Sequence, residues 1–215
     1  MIREYFRQTR LNKTLRKVRR YYQSRKALRR VLRDWEQSGR PVLPPDEFKR
    51  ETVKRYARKF GLDVLVETGT FQGDMIEASK SHFREIYSVE LSQELHRAAC
   101  RRFAGHGHVH LLQGDSAVVL RELLPELNSP PLIWLDGHYS GDGTARGESD
   151  TPVVKELEAI LEQKQIDPVV LIDDARLFDG TNDYPTLESV HEMILGTRGD
   201  WVFDVRDDII RVHPP

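Results

Sequence analysis

The sequence predicts an α/β fold: a mainly parallel sheet ending in an antiparallel hairpin, preceded by a basic helical arm. Three observations lead there. Five short apolar runs alternate with helical segments, the pattern of parallel strands covered on both faces. Two further apolar runs near the end are joined by only Arg206, Asp207 and Asp208, the length of a hairpin turn. Charge also separates along the chain. Residues 1–40 hold fourteen Lys/Arg and three Asp/Glu, a local +11. Of the 33 basic and 34 acidic residues in the whole chain, this leaves nineteen and thirty-one in 41–215, a local −12.

In chain order, residues 2–37 read as one or two helices. Apolar residues recur at Leu11, Leu15, Val18 and Tyr22, and again at Leu28, Leu32 and Trp35, the spacing of one helical face. Gly39 and Pro41 stop the pattern, and residues 40–45 (RPVLPP) read as a stiff, extended connector. The chain thus divides into an arm with its connector, 1–45, and a domain, 46–215. Asp46 can cap a helix over 46–60 that ends at Gly61. Strands follow at 63–68, 86–91, 109–115, 132–137 and 169–175, with helices around 73–82, 92–103, 116–126 and 152–164. Residues 201–205 and 209–214 form the hairpin.

The bulk properties narrow the class. With 215 residues, 39% hydrophobic and 31% charged, a sizeable core is expected and general disorder is not. A single cysteine, Cys100, excludes a disulfide framework and reads as a small buried residue. No run approaches the ~20 apolar residues of a membrane span, and the first residues lack the apolar core of a secretory signal, so a cytoplasmic location is expected.

In parallel sheets of this type, ligands bind beyond the carboxyl ends of the strands. Here those ends are repeatedly acidic: Glu67, Glu90, Asp115, Asp136, then Asp173 and Asp174. The first strand runs into Glu67-Thr68-Gly69-Thr70-Phe71-Gln72-Gly73, an E-x-G-x-x-x-G turn whose glycines admit a ligand close to the backbone. Taken alone it also suits an ordinary strand-to-helix turn. Glu90 follows Glu67 by twenty-three residues and is placed to accept hydrogen bonds from both ribose hydroxyls of an adenosine. A carboxylate at Glu67 and a bulky Phe71 suit a sulfonium cofactor carrying an amino acid better than a diphosphate. Asp115, in Gln113-Gly114-Asp115-Ser116, can meet an adenine amino group, cap the next helix, or do both.

On these residues, the segment from about 63 to 213 resembles the class I S-adenosylmethionine (SAM)-dependent methyltransferases, which have a Rossmann-like sheet. The E-T-G-x-x-x-G turn is similar to that of the metal-dependent macrocin-type sugar O-methyltransferases, and the run WLDGHYSGDGTARGESDTP to bacterial methyltransferase-like proteins. The resemblance implies that Glu67 and Gly69, with Thr70, Phe71 and Gly73 in the same turn, face the methionine part of SAM. It implies Glu90 at the ribose, and Asp115 with Ser116 at the adenine. Phe71 departs from the glycine that is usual there.

Asp136, Asp173 and Asp174 end neighbouring strands, and carboxylates meeting there repel unless a cation or proton joins them. An all-oxygen set suits Mg²⁺ or another hard ion, and the resemblance implies the same. The alternative is that Asp173 and Asp174 cap the next segment or pair with Arg176 or another base. His138 stands where the sugar O-methyltransferases carry an aspartate base; general base, metal or cofactor contact, and plain loop residue stay open for it. Residues 140–150, glycine-rich and charged, read as a lid or as a solvated loop. With the loop 178–185, Tyr139 and Tyr184 could frame a sugar- or phenol-sized pocket.

The arm over 1–40 has three readings: an amphipathic helix on an anionic membrane surface, a nucleic-acid contact, or a helix packed on an acidic domain of its own or a second subunit. No RNA-binding fold signature supports the second. Three functions compete: O-methylation of a sugar or other small hydroxylated acceptor, methylation of RNA or protein, and a non-catalytic scaffold. The complete set of acids at the strand ends favours the first.

Overall fold

A computed structural model describes residues 26–137 and 151–215. His138, Tyr139, the glycine-rich run 140–150 and the first part of the basic arm lie outside the described residues. The described chain falls into two compact units that divide between Lys49 and Arg50.

In the first unit, residues 26–37 form helix α1. Trp35 is buried and Leu28 and Leu32 are half-buried, while Lys26, Arg29, Arg30 and Arg33 face solvent, so the apolar spacing does mark one face. The connector is not extended. Arg40 and Leu43 take positive φ (54° and 74°), and the indole Nε1 of Trp35 donates to the Pro41 carbonyl at 3.0 Å. The chain turns back so that the Trp35 and Phe48 rings meet at 4.6 Å with the Arg40 guanidinium over them.

Helix α2, Asp46–Phe60, begins with Asp46 in its first turn. The Pro45 carbonyl accepts the first helical N–H groups, so Asp46 favours the helix through its charge at the N-terminus. Gly61 (φ 66°) ends it, with the Leu62 N–H closing on the Ala57 carbonyl.

In the second unit the strands are β1 (Val64–Thr68), β2 (Glu85–Glu90), β3 (Val109–Gln113), β4 (Leu132–Leu135), β5 (Val169–Ile172), β6 (Val202–Arg206) and β7 (Ile209–His213). They form one sheet in the order β3-β2-β1-β4-β5-β7-β6. The first five are parallel, and β7 enters antiparallel between β5 and β6. The strand order reverses between β1 and β4, which makes their carboxyl ends the switch point of the sheet. β1, β4 and β5 are buried along their length, whereas β3 is a half-buried edge. The hairpin turns on Asp207 and Asp208, both at positive φ (50° and 59°), matching the right-handed twist of the strands.

The helices are α3 (Asp74–Ser79), α4 (Gln93–Phe103), α5 (Ser116–Leu123), α6 (Val153–Glu162) and α7 (Leu187–Thr197). α3 is shorter than its sequence pattern, and α5 tightens into a 3-10 turn at Leu124–Glu126, where Pro125 cannot donate. α7, capped by Thr186, is an element that the sequence pattern does not assign. Cys100 is exposed, not buried: Ala99 and Phe103 take the inner face of α4, and the Cys100 thiol lies outside it, 3.6 Å from His96 Nε2.

Candidate functional site

The acids at the ends of β1 and β2 are buried together. Glu67 is 3% exposed and Glu90 6%. Ser88 Oγ donates to Glu67 Oε2 at 2.6 Å and lies 2.6 Å from Thr70 Oγ1. Burial is the main force on the Glu67 carboxyl and pushes it up to about 8. The Ser88 hydrogen bond opposes this, and the charges of Asp136, Glu90 and Asp74 add to it. Glu90 holds the turn opposite: Oε2 accepts the Phe71 N–H at 2.8 Å and Oε1 the Ser92 N–H at 2.9 Å. Among the described residues, no lysine or arginine pairs with Glu67 or Glu90.

The turn after β1 needs its glycines. Gly69 has φ 83°, and a Cβ there would stand 2.4 Å from the Asp136 carbonyl oxygen. Gly73, at φ 80°, precedes α3. Phe71 also takes positive φ (45°) and is 46% exposed, which explains why glycine is the easier residue at that position. Asp115 performs its capping role, accepting from Ala117 N and Val118 N at 3.0 and 3.2 Å, and Ser116 opens α5 behind it.

A second set of groups meets at the ends of β4 and β5. A pocket of about 230 Å³, counted to its open mouth, is lined by Asp136, Asp173, Glu156, Thr151, Phe178 and Tyr184 among others. Tyr184 therefore joins the pocket, as the sequence suggested. Burial, and then the charges of Asp174 and Asp136, raise its phenol well above the ordinary range, so it acts only as a neutral donor or acceptor.

Glu156, on α6, is a buried acid that the strand-end pattern does not mark. It is 1% exposed, and burial raises its carboxyl to about 7, with the Ser116 and Thr68 hydroxyls pulling the other way. Glu156 Oε1 and Thr68 Oγ1 are both buried, and each lies 3.3 Å from the place a Cβ on Gly137 would occupy.

The three aspartates expected to hold a metal separate. Asp136 and Asp173 line the pocket. Asp174 does not; at φ 56° its Oδ1 accepts from Arg176 Nη1 at 2.7 Å. The same guanidinium bonds Asp208 of the hairpin turn, and Asp208 Oδ1 accepts the Arg176 N–H at 2.8 Å. Asp173 Oδ1 accepts the Asp174 N–H at 2.9 Å. Among the described residues, no three acidic, histidine or cysteine side chains gather closely enough for one metal ion. Asp174 takes the alternative role, pairing with Arg176.

No family model matches the chain, and no curated protein matches it in sequence. Solved structures do match. The O-methyltransferase TomG from Streptomyces achromogenes, involved in tomaymycin synthesis and solved with SAM, is 17% identical with a TM-score of 0.57, covering 88% of this chain and 90% of its own. An O-methyltransferase from Bacillus cereus, solved with S-adenosylhomocysteine (SAH), is 14% identical at 0.56, over 87% and 90%. A provisionally assigned rRNA methylase from Clostridium thermocellum is 13% identical at 0.52, over 75% and 94%. The shared architecture thus spans enzymes with different acceptors. By its strand order, its switch point and these neighbours, the chain has the Rossmann-like fold of the SAM-dependent methyltransferases.

Proposed function

We propose that the chain is a SAM-dependent O-methyltransferase acting on a small hydroxylated acceptor. The observation that carries this reading is the pair of buried carboxyls, Glu67 and Glu90, flanking a glycine turn at the switch point. Neither has a cationic partner among the described residues, so the site is complementary to a ligand that brings its own cation and hydroxyl donors. SAM brings both, and a Cβ-free Gly69 leaves room for it.

When bound, SAM supplies an electrophilic methyl on its sulfonium sulfur; the acceptor oxygen bonds that carbon, the S–C bond breaks and SAH leaves. The chain's own residues bind and position. Glu90 orients the ribose through oxygens already fixed by the Phe71 and Ser92 N–H groups. Glu67 ionises to meet the cationic end, with Ser88 holding its Oε2. Thr70 and Gly73 shape the turn, and Asp115 and Ser116 serve the adenine. His138, two residues past Asp136, takes the acceptor proton. Most of the acceleration then comes from holding two bound reactants in line. Asp136, Asp173 and Asp174 are not joined in one ligand set, so no metal step is assigned.

The open pocket at the ends of β4 and β5 adjoins the glycine turn, where an acceptor would sit. Incubation with radiolabelled SAM and a panel of sugars, phenols and RNA tests the reading. Label should pass to small hydroxylated compounds, and His138→Ala should lower turnover by about a hundredfold or more while SAH still binds. Label passing only to RNA would overturn it, and unchanged turnover in the variant would remove the base role.

A further inference from the structure

The turn between α1 and α2 exposes apolar side chains where a turn ordinarily carries polar ones. Val42 is 68% exposed and Leu43 62%, more than any other large apolar side chain among the described residues. Leu43 also holds φ 74°, a left-handed backbone that glycine or asparagine adopts easily and a branched aliphatic residue only with strain. One position thus carries two costs, strained backbone and a wetted apolar side chain.

The tip is nevertheless firmly built. Pro41 and Pro44 flank the pair. The Trp35 carbonyl accepts the Arg40 N–H at 3.1 Å and the Ser38 hydroxyl at 2.8 Å, and the Trp35 indole donates to the Pro41 carbonyl. Trp35, Pro44 and Phe48 are buried, so Val42 and Leu43 project from a packed base.

α1 leads into this tip within the same compact unit and brings charge. Lys26, Arg29, Arg30 and Arg33 are all exposed. Their spacing places them within about 100° of one helical face, opposite Leu28, Leu32 and Trp35. Arg30 pairs with Asp34 at 3.6 Å, but both are exposed and water screens the pair. Arg40, also exposed, stands two residues before Val42.

A partner must therefore receive aliphatic side chains and answer a cationic face. RNA would answer the charge, but single strands stack their bases on aromatic rings. Here Trp35 and Phe48 pack on each other, and the projecting side chains are aliphatic. A second copy would set one cationic face against another in a two-fold contact, and two side chains fall far short of the ~800 Å² each partner buries in a stable dimer. An anionic bilayer answers both features. Its headgroups attract the arginines, and its acyl boundary receives the tip. Among the described residues no helix is long and apolar enough to cross a membrane, so the contact is with the bilayer surface.

We propose that the turn between α1 and α2 docks on an anionic membrane surface, with Val42 and Leu43 entering the headgroup boundary and Lys26, Arg29, Arg30 and Arg33 meeting the acidic headgroups. This goes beyond the methyltransferase reading and does not depend on it.

The test sediments the full chain with sucrose-loaded vesicles of phosphatidylcholine, alone or with about one-third phosphatidylglycerol, beside the double variant Val42→Ser, Leu43→Asn. The native chain should bind the anionic vesicles about tenfold or more tighter than the neutral ones, and less tightly as salt rises. The variant keeps every charge and eases the backbone at position 43. Its Tm should hold or rise, while its affinity for anionic vesicles falls about tenfold or more. Should it fold poorly, Leu43→Gly, which suits φ 74°, makes the same comparison. Equal vesicle binding by native chain and variant, equal binding to both vesicle types, or binding to neither would overturn the inference. Capture by single-stranded RNA in place of vesicles would assign the cationic face to nucleic acid. A dimer in analytical ultracentrifugation that the variant loses, without vesicle binding, would assign the tip to a second copy. Either result overturns the proposal.

Discussion

A carboxyl group buried at the end of a central strand has few ways to be satisfied. Glu67 accepts one hydrogen bond from Ser88 and otherwise faces other acids, so burial lifts it from 4.5 to about 8. Its folded-state value lies above its unfolded one. The protonated form therefore contributes stability that is fully present below about pH 4.5 and is lost as pH rises through about 8. Glu67→Gln removes that loss, which is on the order of a few kcal/mol at full ionisation. The variant should gain several degrees in Tm over the native chain at pH 9 and little at pH 4, while losing affinity for SAM. Parallel curves of Tm against pH for the two proteins would contradict this. Binding has the opposite sign. A cationic ligand favours ionised Glu67, so SAM affinity should rise with pH and level off above about 8, with proton release detectable in buffers of different ionisation enthalpy. At Gly69, a Cβ would collide with the Asp136 carbonyl from a backbone at φ 83°. Gly69→Ala should cost roughly 2–4 kcal/mol of unfolding free energy in a urea titration and weaken SAH binding. A cost below about 0.5 kcal/mol would mean the two strand ends part more freely than their packing implies.

Elements were legible where pattern and punctuation agreed. The five parallel strands announced themselves as apolar runs ending in acids, and the hairpin by its two-residue acidic turn. α7 escaped because the residues before it, Asp179-Gly180 and Asn182-Asp183-Tyr184-Pro185, read as loop and masked the signal that follows. Thr186 caps the helix, with Oγ1 accepting the Ser189 N–H at 3.1 Å, and Val190 and Ile194 are its buried stripe. Thr186→Ala should lower unfolding free energy by about 1 kcal/mol, measured by urea denaturation. The connector 40–45 departs from the extended form for a tertiary reason: the Trp35 indole bonds the Pro41 carbonyl, and no local rule foresees that. Cys100 shows the converse limit, since composition gives its average burial while the face of α4 decides its own.

At the scale of the whole molecule, the sheet order converts a one-dimensional series of acids into two sites. Glu67 and Glu90 end the neighbouring strands β1 and β2, and Asp136 and Asp173 follow the neighbouring strands β4 and β5. That pairing followed from reading the strands as parallel. Two features did not follow. Asp208 reaches Arg176, which already pairs with Asp174, only because the hairpin returns beside β5. Glu156 enters the pocket only because α6 lies over the end of β4, a packing fact invisible in the pattern of a mid-helix glutamate. Among the described residues, no helix is long and apolar enough to cross a membrane.

In the function proposed, the acid-tipped switch point binds the adenosine and amino-acid parts of SAM. Calorimetric titration of the purified chain with SAH, with and without Mg²⁺ and beside Glu90→Ala, tests it most directly. One SAH should bind per chain without dependence on Mg²⁺, and affinity should weaken by about a hundredfold or more in the variant. No heat of binding under any condition, or equal binding by Glu90→Ala, would contradict it.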